Sequence, residues 1–457
     1  MLCQPLDYFA EFIVSRPGFL LSIDKINPAL FKFFDKFWRH AIVWAIARIQ
    51  DYPSKTAEEF QLARLKPILA HAGRFVPFWQ DAFERIKFSP LEIVSVSELS
   101  KLPIMCRDAV KQNPDFYADL RLKSRLFFHT SGSTGMPLTF YSDLEAVRSR
   151  TQALYYNMKF AGFSAGSKVL RFMILPSRNR FFGHHVHEIG AKGFINPDER
   201  RKLFAYINKF KPEIFFIAPT PLKQLVEICE ADNFSYKPRA IFTCTEHLMP
   251  DTRRLAEKFF ECPIFDIYGN AEVGMMAQEC REKNGFHINS ERYIFEIVDG
   301  GGQPLPFGQE GEILVTFFDN KPMPFIRYDT GDRGHISGEP CSCGSKIPRI
   351  FFEGRSSYYL IFPDQTRIPL IDLVKLLNNE YSDIINKFQF IQESLDKIVL
   401  KIVPASRYRD EHDVILTRSI MNIIACHSKI HLNVQKVREI ENLPNGKALL
   451  FISKLEQ

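Results

Sequence analysis

The sequence predicts an α/β protein. A large N-terminal domain of mixed and parallel sheets flanked by helices, with a β-rich subdomain, precedes a small α+β domain. Three observations carry this. From Lys168 to about Asp266, short apolar runs alternate with amphipathic stretches at the spacing of β–α–β units. Strand-like runs near Ile294–Val298 and Glu312–Phe317 then follow each other, with Gly300-Gly301-Gly302 as the turn between them. The last hundred or so residues mix two helical patterns with three short strands.

In chain order, residues 1–60 read as an aromatic-rich helical extension cut by Pro17, Pro28 and Pro53. Leu62–Phe83 is amphipathic and is expected to break at Pro67 and Pro77. Leu126–Tyr141 reads as strand, loop and strand, and Asp143–Phe160 as a helix with Asp143 as N-cap. In the alternating region the strands are Val169–Leu175, Ile214–Ala218, Ala240–Thr243 and Ile264–Ile267. The helices between them are Pro197–Phe210, Pro221–Ala231 and Pro250–Phe260. A boundary near residue 355 separates the large domain, 61–354, from the small one, 355–457. In the small domain, helices fall near Ile371–Asn379 and Asp413–Ile424. Its strands fall near Lys397–Val403, Leu432–Val437 and Ala448–Ile452.

The chain has 457 residues, 46% apolar and 25% charged, which is the composition of a soluble globular protein of two or three domains. A net charge of +6 spread along the whole length argues against a nucleic-acid partner. Nine cysteines without a secretory signal fit cytoplasmic thiols or metal ligands better than a disulfide framework. No apolar run reaches the roughly 18 residues needed to span a bilayer. Residues 31–48, rich in Phe and Trp, suit either an interfacial helix making peripheral membrane contact or a helix packed on the body of the protein.

Chemistry concentrates in a few places. Thr130, Ser131, Gly132, Ser133, Thr134 and Gly135 follow one strand and precede another. Small residues let backbone N–H groups crowd an anion, and the hydroxyls add donors, so the loop suits a nucleoside triphosphate. It equally suits a solvated Ser/Gly turn, and it is no Walker loop because no Gly-Lys-Ser/Thr ends it. Tyr268, Gly269 and Glu272 follow an apolar strand, at the C-terminal edge where parallel sheets bind ligands. Glu272 suits Mg²⁺ and Tyr268 a stacked base, or the segment is a Gly turn opening a helix. Asp332, after a tight Thr330-Gly331 turn, suits the two hydroxyls of a ribose or the capping of a β-turn. Cys280, His287, Cys341 and Cys343 make three thiolates and one imidazole, the donor set of a closed structural zinc site. His184, His185 and His187 suit either an acyl-group contact or a polar turn.

Order and spacing bring these stretches together. The strings "RLKPILAHAGRFVPFWQDAF", "LSKLPIMCRDAVKQN", "FFHTSGSTGMPLTFY", "IYGNAEVGMMAQEC", "GFHI", "GEILVTFF", "MPFIRYDTGD", "RIFFEGRSSYYL" and "LPNGKALL" resemble the adenylate-forming superfamily. Within it they resemble the phenylacetate–CoA ligase branch, which also holds deazaflavin-adenylating synthetases and capsular-polysaccharide proteins. The likeness runs from about Leu62 to Lys447 and leaves residues 1–60 outside. It implies that a carboxylic acid attacks the α-phosphate of ATP, that pyrophosphate leaves, and that CoA then accepts the acyl group from the acyl-adenylate. By the same resemblance Thr130–Gly135 would cradle the β- and γ-phosphates. Glu272 would hold Mg²⁺, and Thr245, Glu246, Tyr268 and Gly269 would line the adenine pocket. Asp332 would hold the ribose, Arg355 would help from the hinge, and Lys447 would reach the α-phosphate. An aromatic or other organic acid is the expected substrate.

The sequence departs from the family in places. Met136 stands where relatives carry Lys after the last Gly of the loop. Gly354-Arg355 is followed by Ser356-Ser357 rather than the usual Asp. The loop that helps build the thioester site reads Phe362-Pro363-Asp364-Gln365-Thr366-Arg367-Ile368-Pro369. Adenylation is therefore better supported than CoA transfer. Two alternatives follow: an adenylyltransferase that stops at the adenylate or uses a non-CoA acceptor, and a nucleotide-binding scaffold that has lost catalysis.

Overall fold

The structure is a computed structural model. It describes residues 54–130, 138–147, 149–150, 167–173, 180–182, 186–190, 196–355, 359–364, 366–424, 430–440 and 450–455. The extension 1–53 with its segment 31–48, loop residues Ser131–Gly135 and Met136, His184, His185, Ser356 and Ser357, and Lys447 lie outside the described residues.

Helix α1 (Ser54–Phe75) leads directly to α2 (Pro77–Ile86). The expected break at Pro67 is absent, because α1 runs through it. Leu65, Ile68, Leu69 and Ala72 form one buried stripe on both sides of Pro67, and that packing outweighs the lost backbone hydrogen bond. Pro77 instead opens α2 at a first-turn position, where its missing N–H costs nothing. Helix α3 (Arg107–Gln112) follows.

Strands β1 (Leu126–His129) and β2 (Thr139–Ser142) form an antiparallel hairpin in register Phe128↔Phe140, so the hydroxyl-rich loop joins two paired strands. Thr130 closes its base, its N–H donating to the Leu138 carbonyl at 3.0 Å. Asp143 caps the next helical turn as expected, accepting from the Ala146 N–H at 2.8 Å.

Among the described residues the main sheet has twelve strands. They are β3 (Val169–Met173), β4 (Arg180–Phe182), β5 (Val186–Gly190), β6 (Ile214–Phe216), β7 (Ala240–Cys244), β8 (Ile264–Asn270), β9 (Gly274–Glu279), β10 (Phe286–Ile288), β11 (Tyr293–Val298), β12 (Gly311–Phe317), β13 (Tyr328–Ser337) and β14 (Arg349–Arg355). Their spatial order is 11-12-13-14-10-9-8-7-6-3-5-4. The run 5-3-6-7-8 is parallel, and everything from β8 to β11 is antiparallel. The β-rich stretch is thus the antiparallel half of one continuous sheet. Helices α4 (Pro197–Phe210), α5 (Pro219–Ala231) and α6 (Pro250–Phe260) join the parallel strands. For α4 the start is explicit: the Asn196 side chain accepts from the Asp198 N–H, Pro197 takes the first position, and Asp198 and Glu199 face the helix dipole. Leu203, Phe204, Ile207 and Phe210 then bury one face against the sheet.

Beyond β14, the altered loop follows β15 (Tyr359–Ile361) and supplies its antiparallel partner β16 (Arg367–Pro369). Helices α7 (Leu370–Glu380) and α8 (Glu411–Ile424) accompany a second sheet. Its strands are β17 (Ile385–Ser394), β18 (Lys397–Pro404), β19 (His431–Lys436) and β20 (Phe451–Ser453), in order 19-18-17-20. Leu373, Leu377, Phe390, Leu400, Leu416 and Ile420 fill its core.

Candidate functional site

The site lies at the C-terminal end of β8. Strand β8 carries Tyr268 and Gly269 and runs on to Asn270, and a tight turn bearing Glu272 enters antiparallel β9. The segment is therefore a β-hairpin, and the alternative of a turn opening a helix is overturned. Two glycines make the hairpin possible. A Cβ on Gly269 would lie 2.4 Å from the Gly274 carbonyl oxygen, and Gly274 has φ +93°. Asn270 Oδ1 holds the turn by accepting from the Val273 N–H at 2.9 Å.

Glu272 is buried, with 1% of its surface exposed. Its Oε1 accepts from Arg107 Nη1 at 2.5 Å and from the Tyr328 hydroxyl at 3.0 Å. Arg107 comes from α3 and Tyr328 from the start of β13, so three distant stretches meet on one oxygen. Arg150 crosses the same turn and donates to the carbonyls of Ala271 and Glu272. Burial alone would lower the Arg107 pKa, but Tyr328, Glu272, Asp332 and Asp329 outweigh it and hold the guanidinium charged. Burial, then the Glu272 charge, pushes the Tyr328 phenol well above its ordinary range, so it stays a donor. Sequence reasoning assigned no role to Arg107, Arg150 or Tyr328. Arg107 and Tyr328 lie within quoted motifs, but only tertiary pairing reveals their partner.

Asp332 and Tyr268 also meet: the Tyr268 hydroxyl donates to Asp332 Oδ2 at 2.7 Å, both residues being buried. Tyr268 packs its ring on Phe352 at 5.2 Å between centroids. The expected Thr330-Gly331 turn is a kink within β13, where Leu314 pairs Asp329 and Glu312 pairs Arg333. Extra residues bulge there, with Gly331 at φ +72°, and the bulge places Asp332 beside β14 opposite Arg355.

Thr245 follows β7 with φ +76°, a conformation that costs a β-branched residue energy and that gathers at functional sites. Glu246 Oε2 accepts from the Thr220 N–H at 3.0 Å, at the start of α5. Its Oε1 is buried with no partner among the described residues. His187 is neither in a turn nor at this site. It sits in β5, bonded to the Tyr206 hydroxyl and stacked on Phe210 at 3.9 Å, so it packs α4 onto the sheet.

A second constellation lies where β9, β10 and the β13–β14 turn meet. The ligand atoms of Cys280, His287, Cys341 and Cys343 all fall within 4.8 Å of one another. Cys280 Sγ is 3.7 Å from Cys341 Sγ, and Cys343 Sγ is 3.5 Å from His287 Nε2. Tetrahedral zinc, with Zn–S about 2.3 Å and Zn–N about 2.0 Å, separates sulfurs by about 3.8 Å and sulfur from nitrogen by about 3.6 Å. The observed spacings match. Gly344 at φ +88° lets the Cys341–Cys343 turn close, its N–H donating to the Cys341 carbonyl at 2.9 Å. Burial pushes the Cys280 thiol up to about 12. Hydrogen bonds from Cys343 and Cys280 overcome burial at Cys341 and hold that thiol below its ordinary value. Burial also lowers His287, keeping its imidazole neutral as a ligand must be.

Comparison with known proteins follows the same outline. The model of the AMP-binding enzyme family matches residues 123–316, and that of the CapK C-terminal domain matches residues 360–454. Protein CapK of Staphylococcus aureus is 22% identical over 413 residues, covering 87% of this chain and 89% of that one. Phenylacetate-coenzyme A ligase of Aromatoleum evansii is 26% identical over 426 residues, covering 86% and 93%. The crystal structure of 2-hydroxyisobutyryl-CoA ligase in the postadenylation state superposes with a TM-score of 0.70 at 17% identity, over 90% of this chain and 92% of that one. At that identity the likeness is one of fold. Among the described residues no helix is long and apolar enough to cross a membrane.

Proposed function

Because the chain belongs to the adenylate-forming superfamily, in its phenylacetate–CoA ligase-like branch, we propose that it adenylates an organic carboxylic acid with ATP and Mg²⁺ and transfers the acyl group to CoA. An aromatic acid is the first candidate, since phenylacetate-coenzyme A ligases recur among the relatives. One observation carries the reading. Glu272, Asp332 and Tyr268 converge at the C-terminal end of β8, the end of a parallel sheet's strands at which such folds bind their ligands.

The substrate carboxylate attacks the α-phosphorus and pyrophosphate leaves, so catalysis is alignment plus neutralisation of spreading negative charge. Glu272 would hold Mg²⁺, which supplies charge against the phosphate oxygens. Asp332, fixed by the Tyr268 hydroxyl, would accept from the ribose. The orphaned Oε1 of Glu246 gives the adenine amino group an acceptor beside strained Thr245, with Tyr268 and Gly269 completing that pocket. Thr130 and its loop to Gly135, Thr134 included, would cradle the β- and γ-phosphates. Residues 355–457 would move as a unit about Arg355, bringing Lys447 to the α-phosphate and then making way for CoA. Zinc on Cys280, His287, Cys341 and Cys343 would be structural, since four protein ligands leave no open position.

Acid-dependent exchange of labelled pyrophosphate into ATP tests the reading. Exchange with some acid, reduced on the order of 10²–10³ by Lys447→Ala, is expected. No exchange across a broad panel of acids would refute it. A non-CoA acceptor is the second reading. The match of residues 360–454 to the CapK C-terminal domain favours it, and detection of an acyl-CoA product excludes it.

A further inference from the structure

The carboxylate of Glu272 is one of the most enclosed acidic groups among the described residues, and it already has a cation on it. Arg107 Nη1 stands 2.5 Å from Oε1, and the Tyr328 hydroxyl bonds the same atom at 3.0 Å. A buried carboxylate needs a counter-charge at all times, because an uncompensated charge in a low-dielectric setting is strongly destabilising. A divalent ion held by the same carboxylate would sit within a few ångströms of the guanidinium, and two cations that close repel. Both are not needed at once.

We propose that Arg107 is an exchangeable counter-ion: its guanidinium and a divalent cation compete for Glu272, so that loading the cation requires the arginine to yield. The inference rests on the reading of Glu272 as a cation ligand. Geometry gives Arg107 somewhere to go. Its side chain is 20% exposed, against 1% for Glu272, so it lies at the mouth of the pair. It sits on a helix of six residues, beside the bridge that joins Met105 to Tyr328. The other groups facing it are Tyr328, Asp329 and Asp332, and both aspartates act on its charge. A guanidinium leaving Glu272 therefore moves among carboxylates and keeps its compensation. The exchange makes cation entry conditional on charge arriving with it. A bare ion must displace Arg107 unaided, whereas an ion carried by a polyphosphate brings anions that repay the displacement.

Direct binding of Mn²⁺ to the full-length protein without nucleotide, followed by electron paramagnetic resonance, tests this. Arg107→Met and Arg107→Gln are expected to bind Mn²⁺ at least about tenfold tighter than wild type, because the carboxylate has lost its internal cation. Arg107→Lys keeps the charge and is expected to stay within about threefold of wild type. Adding Glu272→Gln to Arg107→Gln is expected to erase the gain. Affinities for Mn²⁺ equal in wild type and both neutral variants overturn the inference. Should the neutral variants fold only when Mn²⁺ is present, the ion has replaced the guanidinium and the inference stands. Variants that stay unfolded at saturating Mn²⁺ count against it. Failure of the underlying reading looks different: Glu272→Gln would then leave the binding of Mn²⁺–ATP to the wild-type background unchanged.

Discussion

Loading and then removing zinc at the four-residue cluster, the structural site proposed above, is the sharpest perturbation available. Cys280 and Cys341 are buried, and the cluster ties the end of β9, the middle of β10 and the β13–β14 turn together. Two spacings, 3.7 Å between sulfurs and 3.5 Å from sulfur to nitrogen, fit a tetrahedral ion. X-ray absorption at the zinc edge should therefore report three sulfurs at about 2.3 Å and one nitrogen at about 2.0 Å. Binding needs thiolates, and burial pushes the Cys280 thiol above its ordinary range. At neutral pH that group is protonated, so loading the ion expels its proton and affinity must rise with pH. The expected slope is about tenfold per pH unit or steeper between pH 6 and 9. At free zinc about 1,000-fold above its Kd, the ion contributes about 4 kcal/mol of stability. Chelation should lower the urea midpoint accordingly, and Cys343→Ser should lower it without chelator. Two results would refute the reasoning: no zinc retained by protein purified without chelator and then offered the ion, or a first shell dominated by oxygen.

The hairpin, the Tyr268–Asp332 pair and buried Asp266 each give a further expectation. Tyr268→Phe removes a hydrogen bond to a buried carboxylate and should cost roughly 1.5–3 kcal/mol in urea unfolding, with a raised KM for ATP; an unchanged KM would detach Asp332 from the nucleotide. Gly269→Ala drives a methyl against the backbone of Gly274, so a loss of roughly 2–3 kcal/mol is expected, and unchanged thermal unfolding would contradict the hairpin. Burial, opposed in part by the Thr243 hydroxyl, raises Asp266 to about 7. Its folded pKa exceeds the unfolded one, so its favourable contribution is full below about pH 4 and fades as pH rises through 7. Asp266→Asn should then gain stability relative to wild type between pH 5 and 8; parallel pH–stability curves for the two proteins would show that Asp266 does not titrate there.

Local signals made parts of the fold legible. The expected helix Pro197–Phe210 coincides with α4, and the structure gives the reason: Asn196, Pro197 and two acidic residues mark its start, and its buried apolar face ends at Phe210. Residue-type rules failed where tertiary packing decides. Pro67 looks like a breaker until the buried stripe around it is seen. Thr330-Gly331 looks like a turn because Gly at positive φ serves turns and bulges alike, and only pairing with β12 tells them apart. From sequence Tyr268 suits a stacked base, yet its hydroxyl also fixes Asp332, a contact 64 positions away.

The two clusters show why one set of site residues could be found from sequence and another could not. Each half of the cysteine–histidine cluster sits on its own short segment, Cys280 to His287 and Cys341 to Cys343, and soft donors this closely spaced have few other uses. Arginine and tyrosine have many uses. Nothing in the local context of Arg107 separates a surface charge from the partner of a buried acid 165 positions on. What identifies it is a demand set elsewhere: Glu272, placed under cover by the Gly269–Gly274 hairpin, must be neutralised by whatever lies above it. Reading a site of this kind from sequence therefore means first finding the acid that the fold forces inside, and then asking which cation the chain brings to it.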